Sequence, residues 1–269
     1  CIQETPEHSA PLTNTMAEMQ ALPNQLQMGG GGLETLAPHN DLFVKQTRRG
    51  CIQEIMGCEA KTEFKIATKA NNQADFMYAL EDTSFCMRLI LNNIRPWIMN
   101  VTAGPGTPGG PPVSIHERIC ALPPGACKCC CYQEVIHKDP TGVPIGSTKE
   151  MFYFCPVPKF QVLRADGSPE YLISMPTCIG GLCVNIFAEG LCNCRVPIYI
   201  YPPDATEFST ENKIGFITKI WAGLGTELFS DADKFELEFP PGAAPDSKAR
   251  LLGTLFLMNQ LFFEGGQNQ

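Results

Sequence analysis

Hydrophobic and polar positions along this chain follow a strand-like period for most of its length and change to something else only near the C-terminus. From Leu42 onward, short runs rich in β-branched and aromatic residues follow one another: Leu42–Gln46, Thr62–Thr68, Ala74–Leu80, Cys86–Leu91, Trp97–Val101, Val113–Ile119 and Tyr132–His137. Further runs cover Glu150–Phe154, Phe160–Arg164, Tyr171–Met175, Cys183–Ala188, Val196–Tyr201, Lys213–Ile220 and Phe235–Phe239. Turn-forming residues punctuate many of them, at Asn71-Asn72, Pro140-Thr141-Gly142, Ala165-Asp166-Gly167 and Tyr201-Pro202-Pro203. Runs and turns at this spacing predict an antiparallel meander. A sheet of a dozen or so strands curls closed or splits into two layers. The Gly- and Pro-rich stretch Thr102–Pro112 reads as a long loop inserted between two strands.

The exception is Lys248–Glu264, KARLLGTLFLMNQLFFE. Its apolar residues Leu251, Leu252, Leu255, Phe256, Leu257, Met258, Leu261, Phe262 and Phe263 fall on every side of a helix, leaving no face for water. Asp246 or Ser247 is expected to cap its start and Gly265-Gly266 to end it. About 17 residues at about 1.5 Å each give roughly 25 Å, short of the roughly 30 Å hydrocarbon layer of a membrane. A protein interior is therefore the expected surrounding. If the sheet closes, this helix is the long element available to fill it, and the pattern predicts a mostly β protein threaded by its own last helix. Asn259 and Gln260 would then need hydrogen-bond partners in the lumen.

Domain organisation follows from what lacks a period. Residues 1–32 are polar, broken by Pro6, Pro11 and Pro23, and end in the run Gly29–Gly32, so they read as a disordered arm and linker. The chain opens on Cys1, and the arm is expected to be the remainder of a longer segment. The folded domain is expected over 33–264, with a short tail at 265–269.

Charge removes some functions. A net charge of -8 and a pI near 5.1 disfavour a surface that tracks phosphates, so nucleic acid is not an expected partner. His8, His39, His116 and His137 form no recognisable nucleophile or metal signature, and Gly29–Gly32 lacks the flanking strand and helix of a phosphate loop. A conventional enzyme is not expected.

Cysteine chemistry is richer. Of 14 cysteines, four crowd into CKCCC as Cys127, Cys129, Cys130 and Cys131. Adjacent thiols at the base of a strand suit several thioester-linked acyl chains, and two or more chains make a stable membrane anchor. The bland alternative is a cluster of buried or metal-binding thiols. Cys178, Cys183, Cys192 and Cys194 could close a zinc site or be ordinary half-buried thiols. Asp231 and Asp233 stand at the first two positions of a calcium loop, but Glu236 and Gly242 replace the Gly and Glu it needs at six and twelve. Plain sheet alternation explains the same stretch.

The run Leu228–Pro240, LFSDADKFELEFP, followed by the apolar helix ending in Phe262-Phe263-Glu264, resembles the phospholipid scramblases. Gly32-Leu33-Glu34, Glu81-Asp82-Thr83, Arg95-Pro96, Pro158-Lys159-Phe160, Trp221 and Cys130–Val135 follow in the family's order. The resemblance implies a tubby-like fold: a closed antiparallel twelve-strand β-barrel enclosing a C-terminal hydrophobic helix. It also implies bidirectional, ATP-independent movement of phospholipids between leaflets, calcium as cofactor at Asp231 and Asp233, and palmitate on the cysteine cluster. Gly242 and Ala244 stand where the family carries later acidic ligands. The expected partner is a phospholipid membrane, met on its cytoplasmic face and at the plasma membrane through acylation, with protein partners engaged by the N-terminal arm. The competing expectation is an acylated interaction module with the same barrel and no transport activity.

Overall fold

A computed structural model describes residues 32–47, 62–68, 74–84, 94–105, 108–119, 121–122, 128, 130–153, 157–175, 195–220 and 234–263. After a single helical turn at Leu33–Leu36, twelve strands follow: β1 Asp41–Thr47, β2 Glu63–Ala67, β3 Asp75–Asp82, β4 Trp97–Ala103, β5 Pro112–Arg118 and β6 Glu134–Lys138. They continue as β7 Pro144–Glu150, β8 Lys159–Arg164, β9 Pro169–Ser174, β10 Arg195–Tyr201, β11 Gly215–Ile220 and β12 Lys234–Glu238, and the helix α1 spans Pro245–Phe262. Every strand pairs antiparallel with its neighbours in sequence, and β12 returns to β1, from Asp41 opposite Glu238 to Lys45 opposite Lys234. The meander therefore closes into a twelve-strand barrel without a free edge, which removes the unpaired backbone an open sheet would expose.

The lumen holds α1. Fourteen consecutive residues, Ser247–Gln260, are buried, while Leu261 and Phe262 are half-exposed and Phe263 is buried again. Two glycines make the fit possible. A β-carbon at Gly253 would lie 2.4 Å from Nδ1 of His137 and 2.5 Å from Nδ1 of His116. One at Gly146, whose φ is +145°, would lie 2.1 Å from the Leu163 carbonyl oxygen and 2.7 Å from Cδ of Arg250. Helix and wall thus approach more closely than side-chain-bearing residues allow.

Several expectations shift. The helix starts earlier than expected: Ala244 is the cap residue and makes no side-chain hydrogen bond, while Pro245, with its fixed φ and missing N–H, opens the first turn. Asp246 and Ser247 lie inside that turn, and Ser247 Oγ instead meets Tyr171 Oη at 2.9 Å. The strand expected at Glu150–Phe154 runs upstream as β7, with Glu150 as its last residue. Its partner across Pro140-Thr141-Gly142 is β6, in a hairpin whose Asp139 carboxylate accepts from the backbone N–H groups of Thr141 and Val143 at 2.8 and 2.9 Å. The runs Cys86–Leu91 and Cys183–Ala188, and the exit at Gly265-Gly266, lie outside the described residues.

The inward faces of the wall divide into two kinds. Leu42, Val44, Phe64, Ile66, Met77, Ile198, Ile217, Phe235 and Leu237 make an apolar half that packs with Leu251, Leu252 and Leu255 of α1. On β5 to β7 the buried residues include Ser114, His116, Arg118, His137, Thr148 and Glu150, a polar stripe closed off from water. Buried away from water, these groups must find partners on one another or on the helix.

Candidate functional site: the polar lumen and the thiol-bearing rim

Three layers of polar contact hold α1. Near its start, Arg250 Nε donates to Glu170 at 2.7 Å, and its Nη1 donates to Asp246 at 2.8 Å and the Ile145 carbonyl at 2.7 Å. Burial would lower the pKa of Arg250, but the two carboxylates more than offset it and raise it. Lys248 Nζ donates to the carbonyls of Leu36 and Ala37 at 3.3 and 2.8 Å, which ties the first turn of the domain to the last helix.

The middle layer is a chain of hydrogen bonds whose direction can be deduced. Thr254 Oγ1 donates to the Arg250 carbonyl at 2.9 Å, a bond in which only the hydroxyl can donate. Its proton being used, Thr254 Oγ1 must accept from Thr148 Oγ1 at 2.7 Å. Thr148 then accepts from Nε2 of His137 at 2.9 Å, so His137 is protonated on Nε2 and accepts at Nδ1. The proton between the two rings, 3.0 Å apart at Nδ1, therefore belongs to His116, and Ser114 Oγ donates to His116 Nε2 at 3.0 Å. One helical carbonyl sets both tautomers.

Both rings are fully buried. Burial pushes the His116 pKa down to about 3. His137 is lowered well below the ordinary range by burial, and further by His116 and the positive Arg250.

In the third layer, Gln260 Oε1 accepts from Trp97 Nε1 and from Arg118 Nη1, the latter at 2.9 Å. Arg118 also donates through Nε and Nη2 to Gln133 at 2.9 and 2.8 Å and through Nη1 to the Arg95 carbonyl at 2.7 Å. Arg95 in turn grips the Glu81 carboxylate with Nε and Nη2 at 3.0 and 3.1 Å. Burial would raise the Glu81 pKa, but the Arg95 guanidinium holds it below the usual carboxylate value. The expected partners for Asn259 and Gln260 are thus only half found. Asn259 Oδ1 and Gln260 Nε2 are buried without a protein partner beside a cavity of about 10 Å³, roughly the space one water centre needs.

This third layer lies at one rim of the barrel, where β1, β3, β5, β7, β9 and β11 end and the even-numbered strands begin. Cys130 and Cys131 lie a few residues before β6 at the same rim, both exposed thiols, and Cys131 has the left-handed φ of 55°. Their segment is fastened from below: Lys128 Nζ donates to Glu150, a 2.6 Å ion pair, and to the Leu122 carbonyl at 3.0 Å, and the Gln133 backbone N–H donates to the same carboxylate at 2.9 Å. Ile119, Leu122 and Phe152, next to this anchor in sequence, are 44, 51 and 61% exposed. Cys127, Cys129, Cys178, Cys183, Cys192, Cys194, Asp231 and Asp233 lie outside the described residues. In sequence the last two groups fall between β9 and β10 and between β11 and β12, strand ends that share this rim. Among the described residues, no group of three His, Cys, Asp or Glu could hold a metal, and no helix is long and apolar enough to cross a membrane.

Sequence reading missed the polar stripe. On β5 it is Ser114, His116 and Arg118, not Ile115, that are fully buried, because Ser114 and His116 pair with each other and with His137 while α1 offers Gln260 to Arg118. The one signal available was that Thr254, Asn259 and Gln260 interrupt an otherwise apolar helix.

A closed twelve-strand barrel around its own C-terminal helix, with thiols at the rim where the helix leaves, defines the class of protein. The Scramblase family profile matches residues 19–188 and 204–265, and the chain belongs to that family. Phospholipid scramblase 2 of Bos taurus is 28% identical over 237 residues, covering 87% of this chain and 71% of the relative. Phospholipid scramblase 1 of Mus musculus is 29% identical, with 88% and 65% covered. Phospholipid scramblase family member 5 of Homo sapiens is 26% identical, with 87% and 77% covered. No solved structure matches the chain.

Proposed function

We propose that this chain is a membrane-associated phospholipid scramblase, moving phospholipids between leaflets in both directions without ATP. The observation that carries the reading is the family match over most of the chain, joined by exposed Cys130 and Cys131 at the rim where α1 ends. Palmitate on these thiols, with Cys127 and Cys129, would seat that rim on the cytoplasmic face of a membrane, the plasma membrane first. Calcium would act through Asp231 and Asp233; a zinc site at Cys178, Cys183, Cys192 and Cys194 is a separate alternative to ordinary thiols there, which elemental analysis of the purified chain decides. The deciding experiment reconstitutes the purified, acylated chain in liposomes carrying a leaflet-specific fluorescent lipid. Accelerated exchange is expected, and its absence with and without calcium would remove the activity.

A second reading, an acylated interaction module that transports nothing, is favoured by one observation: all three polar layers hold α1 inside the barrel. Giving that helix to lipid would re-expose the apolar half of the lumen at about 25 cal/mol per Å². Under this reading the liposome assay is silent while the membrane-bound chain still captures protein partners through residues 1–32.

A further inference from the structure

We propose that the His116–His137 pair is a proton-sensing latch that holds α1 in the lumen, and that acidification loosens the helix from β5, β6 and β7. Two facing Nδ1 atoms 3.0 Å apart accommodate one proton between them. A second proton on His137 leaves two N–H groups face to face at Nδ1, and one on His116 turns its Nε2 from accepting to donating at Ser114, against the deduced direction of the chain. Because that direction ends on the Arg250 carbonyl through Thr148 and Thr254, the disturbance is felt by the helix.

Among the described residues, no carboxylate is hydrogen-bonded to either ring. On β5 the pair is flanked by Ser114 and by Arg118, which is bound to Gln133. On β6 His137 follows Val135 along the inner face, with buried Gln133 just ahead of the strand. On β7 it meets Thr148, while Glu150, two residues on, is held by Lys128. The helix presents Gly253, Thr254, Phe256 and the cation Arg250, whose charge opposes protonation of His137. Glu170 on β9 and Asp246 face Arg250 and are bound to it.

An imidazolium formed here has no counter-ion, so protons bind preferentially to the opened form, where each ring recovers its ordinary value near 6.5. The folded pair favours the neutral state, and the proportion of opened molecules therefore rises as pH falls below that value. Between pH 7 and pH 5 each ring multiplies it by about 25, the pair by on the order of 600-fold. The effect is local because the opposite half of the wall is apolar and takes up no proton. The latch concerns the seat of the helix and does not depend on lipid transport.

Hydrogen exchange by mass spectrometry on the full chain, at pH 7.5 and pH 5.0 and corrected for intrinsic rates, tests it without lipid. Amides of residues 251–260 and of β5 to β7 are expected to lose protection by a hundredfold or more, while β10 and β11 keep theirs. Equal protection of the helix at both pH values, or uniform loss throughout the barrel, would overturn the latch. The paired change His116→Gln and His137→Gln should flatten the response, and His39→Gln, at a half-exposed ring outside the chain, should leave it. If the paired variant does not fold, C2–H exchange of the wild-type imidazoles decides: midpoints below pH 5 for His116 and His137 support the latch, and midpoints near 6.5 refute it.

Discussion

Gly253 passes so close to His137 that a β-carbon at that position would lie 2.4 Å from the ring's Nδ1. Alanine is the better helix former by about 1 kcal/mol, so propensity alone favours Gly253→Ala. The contact argues the other way, because His137 is fixed between His116 and Thr148 and cannot turn aside. Overpacking a filled core costs about 1–3 kcal/mol, occasionally more. Urea unfolding should therefore show Gly253→Ala less stable than wild type, by about 2 kcal/mol on that scale. A more stable variant would mean that the helix can slide in its barrel.

Arg250 offers a test of the first layer. Its side chain is 2% exposed and neutralises Glu170, itself 8% exposed, at 2.7 Å. Arg250→Met keeps the volume and leaves the buried Glu170 carboxylate with only the exposed Arg164, 3.6 Å away, so the loss should approach the about 3–5 kcal/mol that removing one partner of a buried pair costs. Adding Glu170→Gln should recover much of that loss, because the remaining group is then neutral. A double-mutant cycle reads the coupling directly, and strict additivity would show that the pair is not a working contact.

Strands and helix were legible because both obey a period. Turn residues such as Pro140-Thr141-Gly142 marked real hairpins, and an apolar helix too short for a bilayer pointed to a lumen. The polar half of that lumen was not legible, since Ser114, His116 and Arg118 alternate with Val113 and Ile115 exactly as an outward face would, and only the register between β5, β6 and the helix reveals what faces what. The helix start was misplaced because a capping side chain was sought, whereas Pro245 begins the helix without one. Cys130 and Cys131 were readable by type, and the exposure of both thiols is a property of the rim they stand on.

Stability should fall in mild acid before the carboxylates titrate. The neutral rings of His116 and His137 contribute stability that is complete above about pH 6.5 and shrinks as pH drops below it, by up to about 1.4 kcal/mol per pH unit for each ring. Glu81, whose folded pKa is lowered by Arg95 against the effect of burial, contributes stability that is lost only as pH falls below its ordinary value of 4.5. Loss between pH 6.5 and pH 5 thus belongs to histidine. Denaturant midpoints across that interval should decline in wild type and decline much less in the chain with both rings changed to Gln, where His39, its pKa lowered by burial and by Lys248, still contributes. A wild-type curve that is flat down to pH 5 would contradict the neutral pair.

Membrane attachment should depend on the rim thiols and be separable from folding. Cys130 and Cys131 are exposed and lie outside the hydrophobic core, so Cys→Ala at both should leave the melting temperature within a degree or two. A single acyl chain binds membranes only marginally, whereas two hold firmly, each buried CH₂ adding about 0.8 kcal/mol. Losing one thiol should therefore weaken the association in part, and losing Cys127, Cys129, Cys130 and Cys131 together should move the chain to the soluble fraction of fractionated cells. If the quadruple variant stays on membranes while Phe152→Ser and Leu122→Ser release it, the exposed apolar rim is the anchor and acylation is secondary. If it instead takes deletion of residues 251–263 to release a chain that remains folded, the helix is the anchor and its lumenal seat is not the membrane-bound state.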